Sequence, residues 1–159
     1  MLLSWILATA LGACTCVAQG TPEPQTPKLT YLYTLTALLN SSIEIGTGMY
    51  SDRKAIPIIG GSFSGPRLNG TVLDLGADWG LTDQKGVFHP DTRYNLRTDD
   101  GANIFIQTSG SQQPNGKIYL RQVFETGSED YYWLNNVVSV GVLTSGEGSV
   151  TIEGWTLDL

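Results

Sequence analysis

RYNLRTDDGANIFIQT, residues 93–108, decides the fold class. In its first half Arg93, Asn95 and Arg97 share one face, while Tyr94, Leu96 and Thr98 share the other. Successive side chains of an extended chain point to opposite faces, so this is a half-buried strand with Tyr94, Leu96 and Thr98 turned inward. NIFIQT, residues 103–108, reads as its partner. Between them lies Asp99-Asp100-Gly101, and an Asp before a Gly predicts a type I′ hairpin turn with both central residues at positive φ. Turn chemistry therefore accounts for Asp99 and Asp100 better than a catalytic role does.

The same pattern extends in both directions. In LTYLYTLTALL, residues 29–39, alternation puts Leu29, Tyr31, Tyr33, Leu35, Ala37 and Leu39 on one face and Thr30, Thr34 and Thr36 on the other. Further strand-like runs fall at 55–59, 71–75, 117–124, 131–143 and 149–157, punctuated by Gly-Gly, Asn-Gly, Asp-Gly and Ser-Gly pairs. No window carries a long helical period. About eight or nine short antiparallel strands point to an all-β domain, either a sandwich or a barrel. A closed antiparallel β-barrel of about eight strands is preferred, because closure removes exposed edges. Eight strands also leave an interior that side chains or one small ligand can fill.

The chain has 159 residues and a net charge of −6. Residues 1–18, MLLSWILATALGACTCVA, carry no charged side chain and read as a cleaved signal peptide, with Cys16-Val17-Ala18 as the small-residue cleavage site. Leu11-Gly12-Ala13-Cys14 also resembles a lipobox, but no cationic n-region precedes it. The expected location is the secretory pathway or outside the cell, without a stable membrane anchor. Residues 19–27 read as a disordered lead-in and 28–159 as a single barrel domain. Both cysteines, Cys14 and Cys16, fall in the signal segment, so the mature chain has no thiol ligand and no disulfide. No metal and no cofactor is expected. Scattered cations on an acidic surface exclude nucleic acid as a partner. Asn40-Ser41-Ser42 and Asn69-Gly70-Thr71 are sequons that would accept glycans in a eukaryotic source.

Two segments carry candidate chemistry. Asp78-Trp79 follows a strand run and a Gly76-Ala77 kink. A carboxylate beside an indole in a barrel mouth has a raised pKa through desolvation, which suits a general acid or base near neutral pH. The opposing reading is a carboxylate capping local N–H groups with Trp79 as a core plug. Tyr94 would place a phenol in an apolar lumen, either donating one hydrogen bond or filling space. In YYWLN, residues 131–135, Trp133 and Asn135 share a strand face, where a buried amide either satisfies backbone groups or holds a ligand carbonyl. His89, before Pro90 and without a second His or Cys, reads as an exposed loop residue.

Gly60-Gly61-Ser62-Phe63-Ser64-Gly65, Gly70-Thr71-Val72, Gly76-Ala77-Asp78-Trp79, Arg93-Tyr94, Leu96-Arg97-Thr98-Asp99-Asp100-Gly101, Phe124-Glu125-Thr126-Gly127 and Tyr132-Trp133-Leu134-Asn135 occur in this order. Together, over roughly residues 28–158, they resemble the DUF3237 (UPF0311) family of small β-barrel proteins, in a secreted fungal-type form. That pattern usually has a second Gly before Gly-Ala-Asp-Trp, where this chain has Leu75. The resemblance implies a calycin-like or allene-oxide-cyclase-like barrel with a central cavity, and it transfers no catalytic residues.

Without a thiol, metal or triad, chemistry must come from confinement and a few hydrogen-bonding groups. The functional expectation is a cofactor-independent cyclase or isomerase acting on a small hydrophobic metabolite, in the manner of secondary metabolism. Asp78 and Tyr94 are its catalytic candidates, and Phe63, Trp79, Thr98, Phe124, Trp133 and Asn135 its ligand-binding candidates. The alternative is a lipocalin-like carrier that binds a hydrophobic ligand without turnover.

Overall fold

The computed structural model describes residues 23–158. The expected signal segment, Cys14, Cys16 and the start of the lead-in lie outside the described residues, and residues 23–27 are exposed without regular structure. The strands are β1 (Lys28–Leu39), β2 (Ile43–Gly48), β3 (Ser51–Ser64), β4 (Asn69–Asp78), β5 (Leu81–Thr82), β6 (Phe88–His89), β7 (Asp91–Thr98), β8 (Asn103–Gln112), β9 (Ile118–Glu125), β10 (Ser139–Gly146) and β11 (Ser149–Asp158). A 3₁₀ helix, Glu129–Asn136, separates β9 from β10.

Hydrogen bonding runs in the order β1-β11-β10-β9-β8-β7-β4-β3, all antiparallel, and β3 returns to β1 with Leu35 opposite Phe63 and Ala37 opposite Gly61. This ring of eight strands is the barrel that the alternation predicts. The first half of β3 leaves the ring and pairs with β2 on one side and β5 on the other. A small flap, the β5–β6 hairpin, is thereby carried over one end of the barrel.

Alternation survives well in the strands that have no bulge. In β7, Thr92, Tyr94, Leu96 and Thr98 are all buried, and β9 alternates strictly from Ile118 to Glu125. In β1 the register with β11 slips between Tyr31 and Tyr33, so Leu32 and Tyr33 are both buried while Leu29 and Tyr31 are exposed. The expectation of one continuous apolar face from Leu29 to Leu39 fails there, because a bulge reverses the facing of every residue before it.

The DDG turn also differs from expectation. Gly101 N–H donates to Thr98 O and Thr98 N–H to Ala102 O, both at 2.9 Å. Only Gly101, at φ +93°, is left-handed, so Asp99 and Asp100 form the turn at negative φ and the glycine follows as a bulge. The same device closes the turns at Gly86 and Gly116.

One end of the lumen is packed solid. Tyr33 meets Phe63 and Phe124 edge-on, with ring centroids 6.3 and 6.2 Å apart, beside the buried Leu96 and Ile104. The 3₁₀ helix closes this end by burying Leu134. The strand expected over residues 131–136 is absent there. With three residues per turn, Tyr131 and Leu134 instead stand on one side of the helix and pack on the core.

Candidate active site

The other end of the barrel is hollow. It encloses a cavity of about 420 Å³, a volume suited to one small organic molecule. Its two sides differ in chemistry. Ile58, Ile118, Leu143 and Ile152 form an aliphatic wall, while Asp78, Thr92, Tyr94 and Thr108 bring polar atoms from β4, β7 and β8. Phe88 and Thr82 of the flap, with Pro90, cover the opening in part.

The flap is pinned by the single histidine. His89 Nε2 lies 2.9 Å from Asp83 Oδ2 in the flap turn, and Nδ1 lies 2.9 Å from Ser111 Oγ on β8. Hydrogen bonding from His89 holds the Asp83 carboxyl down at about 2, helped by the N–H groups of Val87 and Lys85. His89 is thus half-buried in a short strand, correcting its reading as an exposed loop residue. The imidazole is the side chain joining the flap turn to the barrel wall. His89→Ala is therefore expected to speed amide hydrogen exchange across residues 83–89 by about tenfold or more, leaving β7–β9 amides unchanged. Equal rates in the flap would show that it is held by other contacts.

Asp78 ends β4, directly opposite Thr92 of β7. A register irregularity between Val72 and Gly76 precedes it, and this bend turns the last residues of β4 toward the opening. The carboxyl is 9% exposed, and Oδ1 accepts a 2.9 Å hydrogen bond from Asp91 N–H. Oδ2 makes no hydrogen bond among the described residues. Burial pushes its pKa from 3.8 up to about 6; the Asp91 carboxylate adds to the rise, while the Asp91 N–H and Lys54 oppose it. Such a group exchanges a proton near neutral pH.

Tyr94 faces inward two residues further along β7, opposite Gly76, and so lies diagonal to Asp78 on the inner surface. Its hydroxyl is buried and has no hydrogen-bond partner, and burial pushes its pKa far up. A buried phenol is normally satisfied, because an unmade hydrogen bond costs about 1–3 kcal/mol. Tyr94 lines the cavity, but its hydroxyl is closed off from solvent and its charge acts on the buried Tyr33 of the packed end. Thr92 and Thr108 hydroxyls, by contrast, bond to each other.

The structure brings Asp78 and Tyr94 together on the cavity wall; the other candidates lie elsewhere. Phe63 and Phe124 belong to the packed end. Thr98 is buried under the DDG turn, donating to Asp100 and accepting from Ala102 N–H at 2.8 Å. Trp133 packs at the closed end with the Arg67 guanidinium 3.6 Å above its ring. Asn135 caps backbone, accepting from Thr126 N–H and donating to Thr126 O, both at 2.9 Å. Trp79 is 38% exposed and sits outside the lumen, held through its backbone by Arg53 and Asp91. The sequon residues Asn40 and Asn69 are both exposed, although Asn69 Oδ1 is engaged by Ser64 Oγ and Gly65 N–H.

Sequence reasoning missed Lys54 and Phe88 of the cavity mouth. Their relevance depends on the excursion of β3 and on the flap, which no local pattern announces. Thr92 and Thr108 were not singled out either, although each extends the inward alternation of its strand by one step. Among the described residues no cluster of three or more His, Cys, Asp or Glu side chains could hold a metal ion.

Comparison with known proteins gives this geometry a context. A UPF0311 protein of Rhodopseudomonas palustris is 32% identical over 143 residues, covering 77% of this chain and 92% of the relative. The hydroalkoxylation enzyme phnH of Penicillium herquei is 29% identical over 150 residues, covering 94% of this chain and 95% of that enzyme. The crystal structure of a beta-barrel like protein from Acinetobacter baumannii superposes with a TM-score of 0.82 at 34% identity, covering 87% of this chain and all of that one. The profile of the family described as "Protein of unknown function (DUF3237)" matches residues 27–121. By this profile match over more than half of its length, and by the 32% identity to the UPF0311 protein, this chain belongs to the DUF3237 family.

Proposed function

We propose that the protein is an isomerising cyclase that adds a hydroxyl group across a carbon–carbon double bond of the same small substrate inside the barrel cavity. The protonated Asp78 carboxyl gives its proton to one alkene carbon. The substrate hydroxyl oxygen bonds to the other carbon and passes its own proton back to the Asp78 carboxylate. Product and substrate then have the same formula, and no oxidant, reductant or cofactor enters the balance. Tyr94 donates its free hydroxyl to a substrate oxygen, and the aliphatic wall holds the chain in the folded geometry that ring closure requires.

The observation that carries this reading is the buried Asp78 carboxyl, its pKa raised to about 6, on the wall of a largely apolar cavity that Tyr94 also lines. Likeness to a hydroalkoxylation enzyme over nearly the full chain supports the class of reaction. With residues 1–18 read as a signal segment, the chemistry belongs to the secretory pathway, where Asn40 and Asn69 would be open to glycosylation.

The test is incubation with a panel of unsaturated alcohols and phenols in heavy water. Cyclisation in the proposed manner yields an ether whose only mass gain is one deuterium on the carbon that Asp78 protonates. Recovery of unchanged substrate from a protein that nonetheless binds it would replace the enzyme with the carrier reading.

Tyr94→Phe separates the phenol's two effects. Removing an unsatisfied buried hydroxyl is expected to leave stability unchanged or raise it by about 1 kcal/mol. Ligand affinity is expected to fall about tenfold, the loss of one hydrogen bond to a buried acceptor. Melting curves and ligand titrations on the same preparation check both. A variant that is destabilised and binds normally would make Tyr94 a structural residue.

A further inference from the structure

Lys54 is the only Lys or Arg that lines the cavity among the described residues. It stands on the excursion of β3, half-buried, with Nζ 5.1 Å from the centroid of the Phe88 ring. That ring belongs to the flap, so cation and flap meet at the opening. Among the described residues Arg93 pairs with Asp91 and His89 contacts Asp83, and neither contact includes Lys54. Glu44, Asp91 and Asp78 do not pair with it. Glu44, directly opposite on β2, accepts from Ser42 Oγ at 2.7 Å. Asp91 is bound by Arg93 at 3.0 Å. Asp78 feels the charge of Lys54 but lies beyond ion-pair distance. In a chain of net charge −6, a cation left unpaired at a cavity mouth presents an anion-binding group to whatever enters.

We propose that Lys54 selects the substrate, and that the cavity takes an amphipathic molecule whose acidic oxygen group, a phenolate or carboxylate, meets Lys54 at the mouth. Its apolar, unsaturated part lies against Ile58, Ile118, Leu143 and Ile152. This rests on the reading of the cavity as the substrate site. Phe88 positions the ammonium by cation–π contact, so that the charge stays at the opening instead of swinging into solvent. The division of the lumen into an aliphatic wall and a polar wall matches such a molecule. A wholly apolar guest would leave the ammonium without a partner of opposite charge.

The experiment uses two probes with one aromatic skeleton, 1-anilinonaphthalene-8-sulfonate and the uncharged N-phenyl-1-naphthylamine. Both are titrated by fluorescence into the full chain and into Lys54→Met and Lys54→Arg variants. Amide shift changes at Thr82, Phe88 and Thr92 locate each probe in the cavity. The unaltered chain is expected to bind the sulfonate at least tenfold tighter than the neutral probe. Lys54→Met should lose that preference while keeping its affinity for the neutral probe, and Lys54→Arg should keep the preference. Sulfonate binding unchanged in Lys54→Met, or no preference in the unaltered chain, overturns the proposal. If Lys54→Met binds neither probe, Lys54→Arg decides, since a lost preference there also overturns it. Selectivity for the sulfonate without turnover of any unsaturated alcohol would retain the role of Lys54 and remove the cyclase. Failure of both probes to bind in the unaltered cavity would remove both readings.

Discussion

Asp78→Asn is expected to lower turnover by about 10²–10⁴-fold, the usual contribution of a positioned general acid or base, and at the same time to make the protein more stable above neutral pH. The two effects share one cause. Burial raises the Asp78 pKa from 3.8 to about 6, which corresponds to about 3 kcal/mol by which the folded state disfavours the charged form. Because the folded pKa is the higher one, the stabilising contribution is complete below about 4, and it is lost as pH rises through about 6. An amide of the same shape cannot ionise and can still accept the Asp91 N–H through Oδ1. The variant should therefore melt about 5–10 °C higher at pH 8 and at nearly the same temperature as the unaltered chain at pH 4. Turnover of the unaltered protein should decline as pH climbs past about 6, where the acid loses its proton. Melting scans at the two pH values, with a rate profile, check these statements together. A variant with full activity, or one destabilised at pH 8, would show that Asp78 is a backbone cap and not a proton carrier.

Gly61→Ala should be the most damaging single-methyl change in the barrel. Gly61 sits on the β1–β3 seam opposite Ala37, with φ at +136°. A Cβ there would lie 2.0 Å from Thr36 O and 3.1 Å from Ala37 Cα. Both neighbours are backbone, so no side chain can swing aside. Strain at that φ adds about 1–3 kcal/mol, and opening the seam to relieve the clash breaks the pairing that closes the ring. A total loss of about 3–5 kcal/mol is expected, at the extreme of single substitutions. Since the net stability of a domain is about 5–15 kcal/mol, the variant should express poorly or unfold at a much lower denaturant concentration. Gly116→Ala is the control: its glycine has φ +80°, but nothing lies within 4 Å of the place its methyl would take, so the change should cost only the backbone strain, about 1–2 kcal/mol. Equal losses at both sites would place the damage in backbone strain and not in the seam.

How much of this was legible depends on the distance over which each feature is determined. Tyr94, Leu96 and Thr98 are inward because alternation is local, and runs of that kind suggest a barrel before any contact is known. The bulge at Tyr31–Tyr33 was not legible, because it is imposed by the register with β11. Residues 131–136 look like strand because aromatic residues carry β propensity, yet packing of Leu134 on the closed end overrides that preference. Asp78 and Tyr94 line the cavity, and both stood out in the sequence as a carboxylate and a phenol expected to face inward. Phe63, Phe124 and Thr98 face inward just as they do, but at the packed end. Which half of the lumen stays empty is set by the three-ring cluster of Tyr33, Phe63 and Phe124, a contact among distant segments that alternation does not encode.

The most direct test is a carboxyl-carbon NMR titration of Asp78, with and without saturating N-phenyl-1-naphthylamine. A carboxyl buried on the wall of this cavity requires a midpoint near 6 in the empty protein, moving higher when the neutral guest displaces water from beside it. A midpoint near 3.8 that ignores the probe would mean that Asp78 faces bulk water and that the hollow end of the barrel is not its site of action.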